Sequence, residues 1–332
     1  MKDFLQVFLA ICLIKSAHTN LLKIVGGEVA TKGQFLFYVE LRVSQSQTIA
    51  YNCGGTLIHP KWILSAAQCF EREHVTPSMM FALDLVRAYM GSEKTVQDLN
   101  DINFIIRYVE KAYVHSKYTY DTNRDVHSPG ARHLYDIAVA VLKQPYQLNQ
   151  YIKTIKLPSA ETQLCSKGII IGSGQVTFLL EDPTYKSRQI RYAYLHIKPV
   201  NKLFGKPPVS RETAFFSEME NVKVSDLGFG SFGDQGSPYL CDIGSGWVQY
   251  GVFSGYYTSS KSKNYGYFHP IYESVDKHMG FIRSHVPLQS YDKHWRMREK
   301  HKYKQKDLRE KSNSMRKRLS FMYLFIVNLY IM

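Results

Sequence analysis

The chain has 332 residues, 45% of them hydrophobic and 14% aromatic, enough to bury a sizeable core in one large domain or two small ones. Its formal charge of +14 is unevenly placed: the stretch from Leu288 to Leu319 holds 12 Lys and Arg against 4 Asp and Glu, a surplus of +8. The remainder is mildly basic and contains nothing resembling a nucleic-acid-binding module, which excludes nucleic acid as a partner.

Residues 1–19 carry Lys2 near the start, an apolar run from Phe4 to Ile14, and small or polar residues after it. This is the pattern of a secretory signal peptide. Assigning Cys12 to that segment leaves Cys53, Cys69, Cys165 and Cys241. An even count in an exported chain predicts two disulfides, with three connectivities open. No CxxC or HxxxH accompanies the cysteines, so no metal site is expected and no cofactor is implied. No Asn-x-Ser/Thr sequon occurs, so N-glycosylation is not predicted.

From Phe35 to about Tyr272, short β-branched and aromatic runs alternate with Gly, Pro, Asn and Ser. They are FLFYVELRV (35–43), TLIHPKWILSA (56–66), NFIIRYVEKAYV (103–114), DIAVAVL (136–142), KGIIIGSG (167–174), RYAYLHIKPV (191–200) and GWVQYGVFSGYY (246–257). Many strands at short spacing without alternating helices predict an all-β barrel or sandwich. Residues 119–135 are polar, contain Pro-Gly and read as an inserted loop. ESVDKHMGFIRSHV (273–286) places Val275, Met279, Ile282 and Val286 at helical spacing, so a closing helix is expected.

Beyond Pro287 an extension, residues 288–332, begins with the basic run and ends in SFMYLFIVNLYIM (320–332). The 13 residues of that apolar end are too few to span a bilayer, a task for which a helix needs about 20. The basic run, 288–319, is suited to sulfated glycans or anionic membrane surfaces. Ser312, Asn313 and Ser314 before a hydrophobic end have the outline of a GPI-anchor signal, although the intervening Met-Arg-Lys-Arg-Leu is short and basic for a spacer.

Four further stretches fall in a definite order. IVGGEVA (24–30) follows Lys23, CGGTLIHPKWILSAAQC spans 53–69, YDIAVAVL spans 135–142 and GDQGSPYLC spans 233–241. In this order and at these separations they resemble the trypsin-like serine proteases, the S1 peptidases, over about Ile24 to Val286. The resemblance implies two six-stranded antiparallel barrels with a cleft between them and a C-terminal helix. It also implies a short propeptide, 20–23, ahead of a peptidase domain at 24–287.

The resemblance places the catalytic His at Gln68, the catalytic Asp at Asp136 and the nucleophilic Ser at Gln235. Two of the three positions have lost their chemistry. Acyl transfer by such a triad needs an oxygen nucleophile, a base within hydrogen-bond reach and an anion orienting that base. A neutral amide supplies neither nucleophile nor base, and Asp136 keeps an orienting role with no imidazole to orient. Losing the nucleophile or the base costs about a millionfold in turnover, and losing both adds little because the triad acts as a unit. An unconventional centre would have to draw on Ser237, with His59 or His133 as its base.

Other family positions carry over one by one. Phe229 stands six residues before the nucleophile position, where enzymes cutting after Lys or Arg carry an acid. Ser231 stands where a cysteine is usual. Gly233 and Gln235 would offer the backbone N–H groups of the oxyanion pocket. Cleavage after Lys23 would free an Ile24 ammonium for Asp234, the residue before the nucleophile position. The resemblance pairs Cys53 with Cys69 and Cys165 with Cys241. It implies a secreted, inactive serine protease homolog that binds a protein partner, such as an active protease or its substrate, and regulates, assists or decoys it.

Overall fold

The computed structural model describes residues 27–44, 50–70, 86–96, 104–120, 133–159, 162–174, 188–198, 213–218, 230, 233–258 and 268–288. The signal peptide, Lys23 and Ile24, Phe229, Ser231 and the extension beyond Leu288 lie outside the described residues. The chain divides into two units, Met1–His285 and Val286–Met332. The architecture below is that of the first.

Fifteen strands occur among the described residues. The first half contributes β1 (Glu28–Val29), β2 (Tyr38–Ser44), β3 (Ala50–His59), β4 (Trp62–Ser65), β5 (Val86–Met90), β6 (Ile105–Val114), β7 (Thr119–Tyr120), β8 (His133–Leu134) and β9 (Ala138–Leu142). The second half contributes β10 (Lys167–Gly172), β11 (Arg191–Lys198), β12 (Ala214–Glu218), β13 (Pro238–Asp242), β14 (Trp247–Thr258) and β15 (Phe268–Ser274). A 3-10 turn at Asp276–His278 leads into one short helix, α1 (Met279–His285).

Six strands close into a barrel in the order β2-β3-β4-β9-β6-β5. Alternation sets its inside: Val39, Leu41 and Val43 of β2 are wholly buried, while Arg42 and Ser44 between and after them face outward. The second sheet has seven strands in the order β1-β11-β10-β13-β14-β15-β12, and an additional β11–β12 pairing joins its flanks. Among the described residues the fold is thus mostly β with one terminal helix, as the sequence predicts. The second expected barrel takes the form of this seven-stranded sheet, with β1 added outside β11.

The core of the second sheet is aromatic. Phe215, Tyr239, Phe253 and Tyr272 are buried together, with ring centroids 5.3 to 5.7 Å apart. Such pairs contribute about 0.5–1.5 kcal/mol each beyond their area burial. Two disulfides, Cys53–Cys69 and Cys165–Cys241, staple the two sheets separately.

Two strand-level expectations are revised. The predicted helix at 273–286 is a strand through Ser274, and only Met279–His285 is α-helical. The loop at 119–135 is paired at its ends, Thr119 with Leu134 and Tyr120 with His133.

The two sheets meet where glycine allows it. A Cβ on Gly54 of β3 would lie 1.9 Å from Ser237 Oγ, so only glycine fits there. Buried Thr56 Oγ1 of β3 donates to Gln249 Oε1 of β14 at 2.5 Å, a polar clip across the same junction.

Candidate functional site

The loop from Gly233 to Ser237 sits at this junction. Gly54 N–H donates to the Gln235 carbonyl at 2.7 Å, and Gly236 N–H donates to the Phe253 carbonyl at 2.8 Å. Ser237 N–H closes the turn on the Asp234 carbonyl at 2.9 Å. Gly233 and Gly236 hold left-handed φ values of 94° and 85°, a region closed to most side chains. A Cβ on Gly236 would strike Ser65 Oγ at 2.1 Å and the Gly54 carbonyl at 2.3 Å. β3, β4 and β14 therefore mould the loop together.

Gln68 lies in the 3-10 turn Ala67–Cys69 that follows β4, next to the disulfide-bonded Cys69. Its backbone N–H donates to Asp136 Oδ1 at 2.9 Å, and its side-chain Nε2 donates both to Asp136 Oδ2 and to the Ser254 carbonyl, the latter at 2.7 Å. Ser254 Oγ donates to Asp136 Oδ2 at 2.6 Å. Asp136, fully buried, is left with a side chain to hold after all: it orients an amide where an imidazole would stand. Both hydrogens of the Gln68 amide nitrogen are taken up, and that nitrogen has no basic lone pair to offer.

The backbone that delivers Asp136 is strained. Tyr135, immediately before it, adopts a φ of 53°, unusual for a bulky residue. Its ring stacks on His115 with centroids 5.2 Å apart and planes 7° from parallel. That stack holds the turn from outside.

Gln235 turns its amide back on its own loop. Gly233 N–H donates to Gln235 Oε1 at 2.9 Å. The backbone donor expected to serve an oxyanion thus meets a carbonyl-type oxygen from the residue at the nucleophile position. The vestigial anion pocket read from the sequence has an internal occupant.

Asp234 is fully buried, and its Oδ1 accepts from Ser173 N–H at 2.9 Å and from Gly174 N–H at 2.7 Å. The approach is close: a Cβ on Gly172 would lie 2.1 Å from that oxygen. Tyr38 OH lies 3.2 Å from Ser173 Oγ and 3.4 Å from Ser237 Oγ. Burial, then the nearby Asp234 and Glu40 carboxylates, push the Tyr38 phenol far above its ordinary range. Tyr38 therefore stays neutral and gives Ser237 no base. Ser237 itself is fully buried.

The other candidate bases are placed as follows. His59 Nδ1 accepts from Lys61 N–H at 3.2 Å, and burial lowers its pKa. His133 Nδ1 lies 2.9 Å from Tyr118 OH, and its ring is tilted against Tyr120.

One feature of the site was not read from the sequence. Behind Asp136 lies the buried Glu273, whose carboxyl pKa is raised by burial. His278 Nε2 lies 2.9 Å from Glu273 Oε2, and the His278 ring packs edge-on against His115, centroids 4.9 Å apart. Two hydrogen-bonded pairs thus stand together, His278 with Glu273 and Gln68 with Asp136. The available signal was the acid inside the apolar run PIYES, with a His five residues on. A buried acid needs a partner.

The geometry of barrel, cleft loop and disulfides matches what comparison with known proteins finds. The trypsin family profile, described as Trypsin, matches residues 24–277. The chain belongs to the trypsin family. Among its relatives, Serine protease 28 of Mus musculus is 24% identical over 270 residues, covering 79% of this chain and 89% of that protein. Kallikrein 1-related peptidase b24 of Mus musculus is 27% identical over 248 residues, covering 72% and 84%. Tryptase of the same species is 23% identical over 268 residues, covering 80% and 89%. The two disulfides fit an extracellular protein. Among the described residues, no helix is long and apolar enough to cross a membrane.

Proposed function

We propose that this chain is a secreted, non-catalytic serine protease homolog that acts by binding a protein partner, as a regulator, cofactor or decoy of active proteases. The observation that carries the reading is the hydrogen bond from Gly233 N–H to Gln235 Oε1, 2.9 Å long. The residue at the nucleophile position has no nucleophile and also occupies a donor that would stabilise a tetrahedral intermediate. Loss of one oxyanion donor alone costs about a hundredfold to a thousandfold in turnover, on top of about a millionfold for the triad.

Gln68 supports the same reading. It keeps the hydrogen bonds to Asp136 and Ser254 while supplying no base. The scaffold is maintained without the chemistry, which suits a protein retained for its surface. An endopeptidase centred on Ser237 is disfavoured by the burial of that hydroxyl against Tyr38.

The test compares the chain cleaved after Lys23 with a Gln68→His/Gln235→Ser variant, using a phosphonate probe and a mixed peptide library. The natural chain is expected to be silent and the variant to be labelled. Cleavage of the library by the natural chain overturns the reading.

A further inference from the structure

We propose that the outer face of the first barrel, where β2, β5 and β6 run side by side, is a docking surface for an acidic peptide segment of a partner protein that also carries apolar side chains. The inference rests on the partner-binding reading above and gives that partner a chemistry and a place.

The strand registers assemble the face. Arg42 pairs with Arg87, which pairs with Tyr108, so the three stand in one row across β2, β5 and β6. In the adjoining row Tyr89 pairs with Ile106, and Phe104 sets its ring edge-on to Tyr89 with centroids 5.8 Å apart. The alternate positions Leu41, Val43, Val86, Ala88 and Val109 are wholly buried inside the barrel, so the first set faces outward. Ile106 is 41% exposed and Tyr108 45%. With strands about 4.8 Å apart, a row across three of them spans about 10 Å, the length of about three residues of extended peptide.

Two like charges meet on this face. Arg42 and Arg87 stand directly opposite each other, an arrangement that destabilises a sheet. Among the described residues no carboxylate pairs with either guanidinium. The acid in register with Tyr89, Glu40, is buried and accepts from Asn52 Nδ2 at 3.0 Å and Val96 N–H at 2.9 Å. The nearby Glu110 pairs with Lys61 at 3.2 Å. Arg87 Nε is buried with no hydrogen-bond partner. An incoming carboxylate relieves the repulsion and meets a fork of donors.

The apolar part of the face chooses between anionic ligands. A sulfated glycan has nothing to place against Ile106 and Phe104, whereas a peptide mixing Asp or Glu with Phe, Ile or Leu covers both features. Aromatic and arginine side chains gathered on one patch are also the residue types that dominate protein interfaces.

The experiment uses the full chain and a labelled synthetic peptide alternating Glu with Phe and Ile, followed by fluorescence anisotropy at two salt concentrations. Arg42→Gln/Arg87→Gln is expected to weaken binding about tenfold or more and to flatten its salt dependence. Ile106→Ser/Tyr108→Ser is expected to weaken it about fivefold at both salts. Arg42→Lys/Arg87→Lys keeps the charge but not the fork, guards against a folding artefact, and is expected to keep the salt dependence while losing less affinity than the Gln pair. The basic extension is present in every variant, so any binding it contributes cancels. Unchanged affinity in the Gln pair overturns the proposal. A heparin oligosaccharide that binds with the same Arg dependence while the Ser pair has no effect also overturns it, making the face a glycan site. Peptidase activity in the same preparation would refute the non-catalytic reading and leave this surface standing.

Discussion

His278 Nε2 and Glu273 Oε2 lie 2.9 Å apart with both side chains only 2% exposed, directly behind the residue that holds Gln68. Replacing one member strands the other. His278→Phe should destabilise the protein by about 3–5 kcal/mol, because the carboxyl keeps its burial and loses its partner. Glu273→Leu/His278→Phe should be less destabilised than His278→Phe alone. Urea unfolding of the two singles and the double, read as a double-mutant cycle, checks both statements.

His115 should govern part of the acid sensitivity. Burial, then the neighbouring His278 and Lys117, lower its pKa to about 4 from 6.5. Between those values the unfolded chain binds a proton that the folded chain refuses, so stability falls as pH drops from 6.5 toward 4. Glu273 acts in the opposite sense. Its raised pKa makes the folded state hold a proton more tightly, so its contribution to stability falls as pH rises above 4.5. The two effects overlap, and a difference curve separates them. His115→Phe, which keeps a ring against Tyr135, should flatten the loss of thermal midpoint between pH 6.5 and 4 relative to the natural chain.

Gly172→Ala should disturb the nucleophile-equivalent loop from behind. Its Cβ would come within 2.1 Å of Asp234 Oδ1, and the fully buried carboxylate has no room to retreat. A destabilisation of about 2–3 kcal/mol is expected from such overpacking. Gly244→Ala is the control, since its φ is 78° but nothing lies within 4 Å. Only the backbone term of about 1–2 kcal/mol remains there. Chemical denaturation of the two variants should rank them in that order.

The disulfides should differ in weight. Cys165–Cys241 closes a sequence separation of 76 and Cys53–Cys69 one of 16. On the chain-entropy account these correspond to ~4.5 and ~3.1 kcal/mol. The Cys165→Ser/Cys241→Ser protein should therefore unfold at lower urea than Cys53→Ser/Cys69→Ser. Equal midpoints would show that native-state effects offset the difference in loop closure.

The barrel strands were legible where alternation or β-branched runs are strong, as in YVELRV and DIAVAVL, because one buried face imposes a period of two. β15 was not. Pro270 interrupts it and argues against an interior strand, yet it pairs with Tyr256 beside the register shift between Phe253 and Gly255, where a bulge accommodates proline. β5 was missed because five residues around Arg87 and Tyr89 carry little local signal, and its partners β2 and β6 lie far off in sequence. Gln68, Asp136 and Gln235 were identified by motif order. What their amides do was not legible, since it depends on Ser254 and Gly233 being brought alongside in space. The Glu273–His278 pair was hidden for the same reason: the proposed helix covered both residues and gave neither an inward partner.

The bond between Gly233 and Gln235 also ties two features of the loop to one side chain. A change at position 235 to serine removes the internal occupant and supplies a hydroxyl in one step. A change at position 68 to histidine does neither and leaves a base facing an amide. Serine at position 235 would therefore meet two requirements at once.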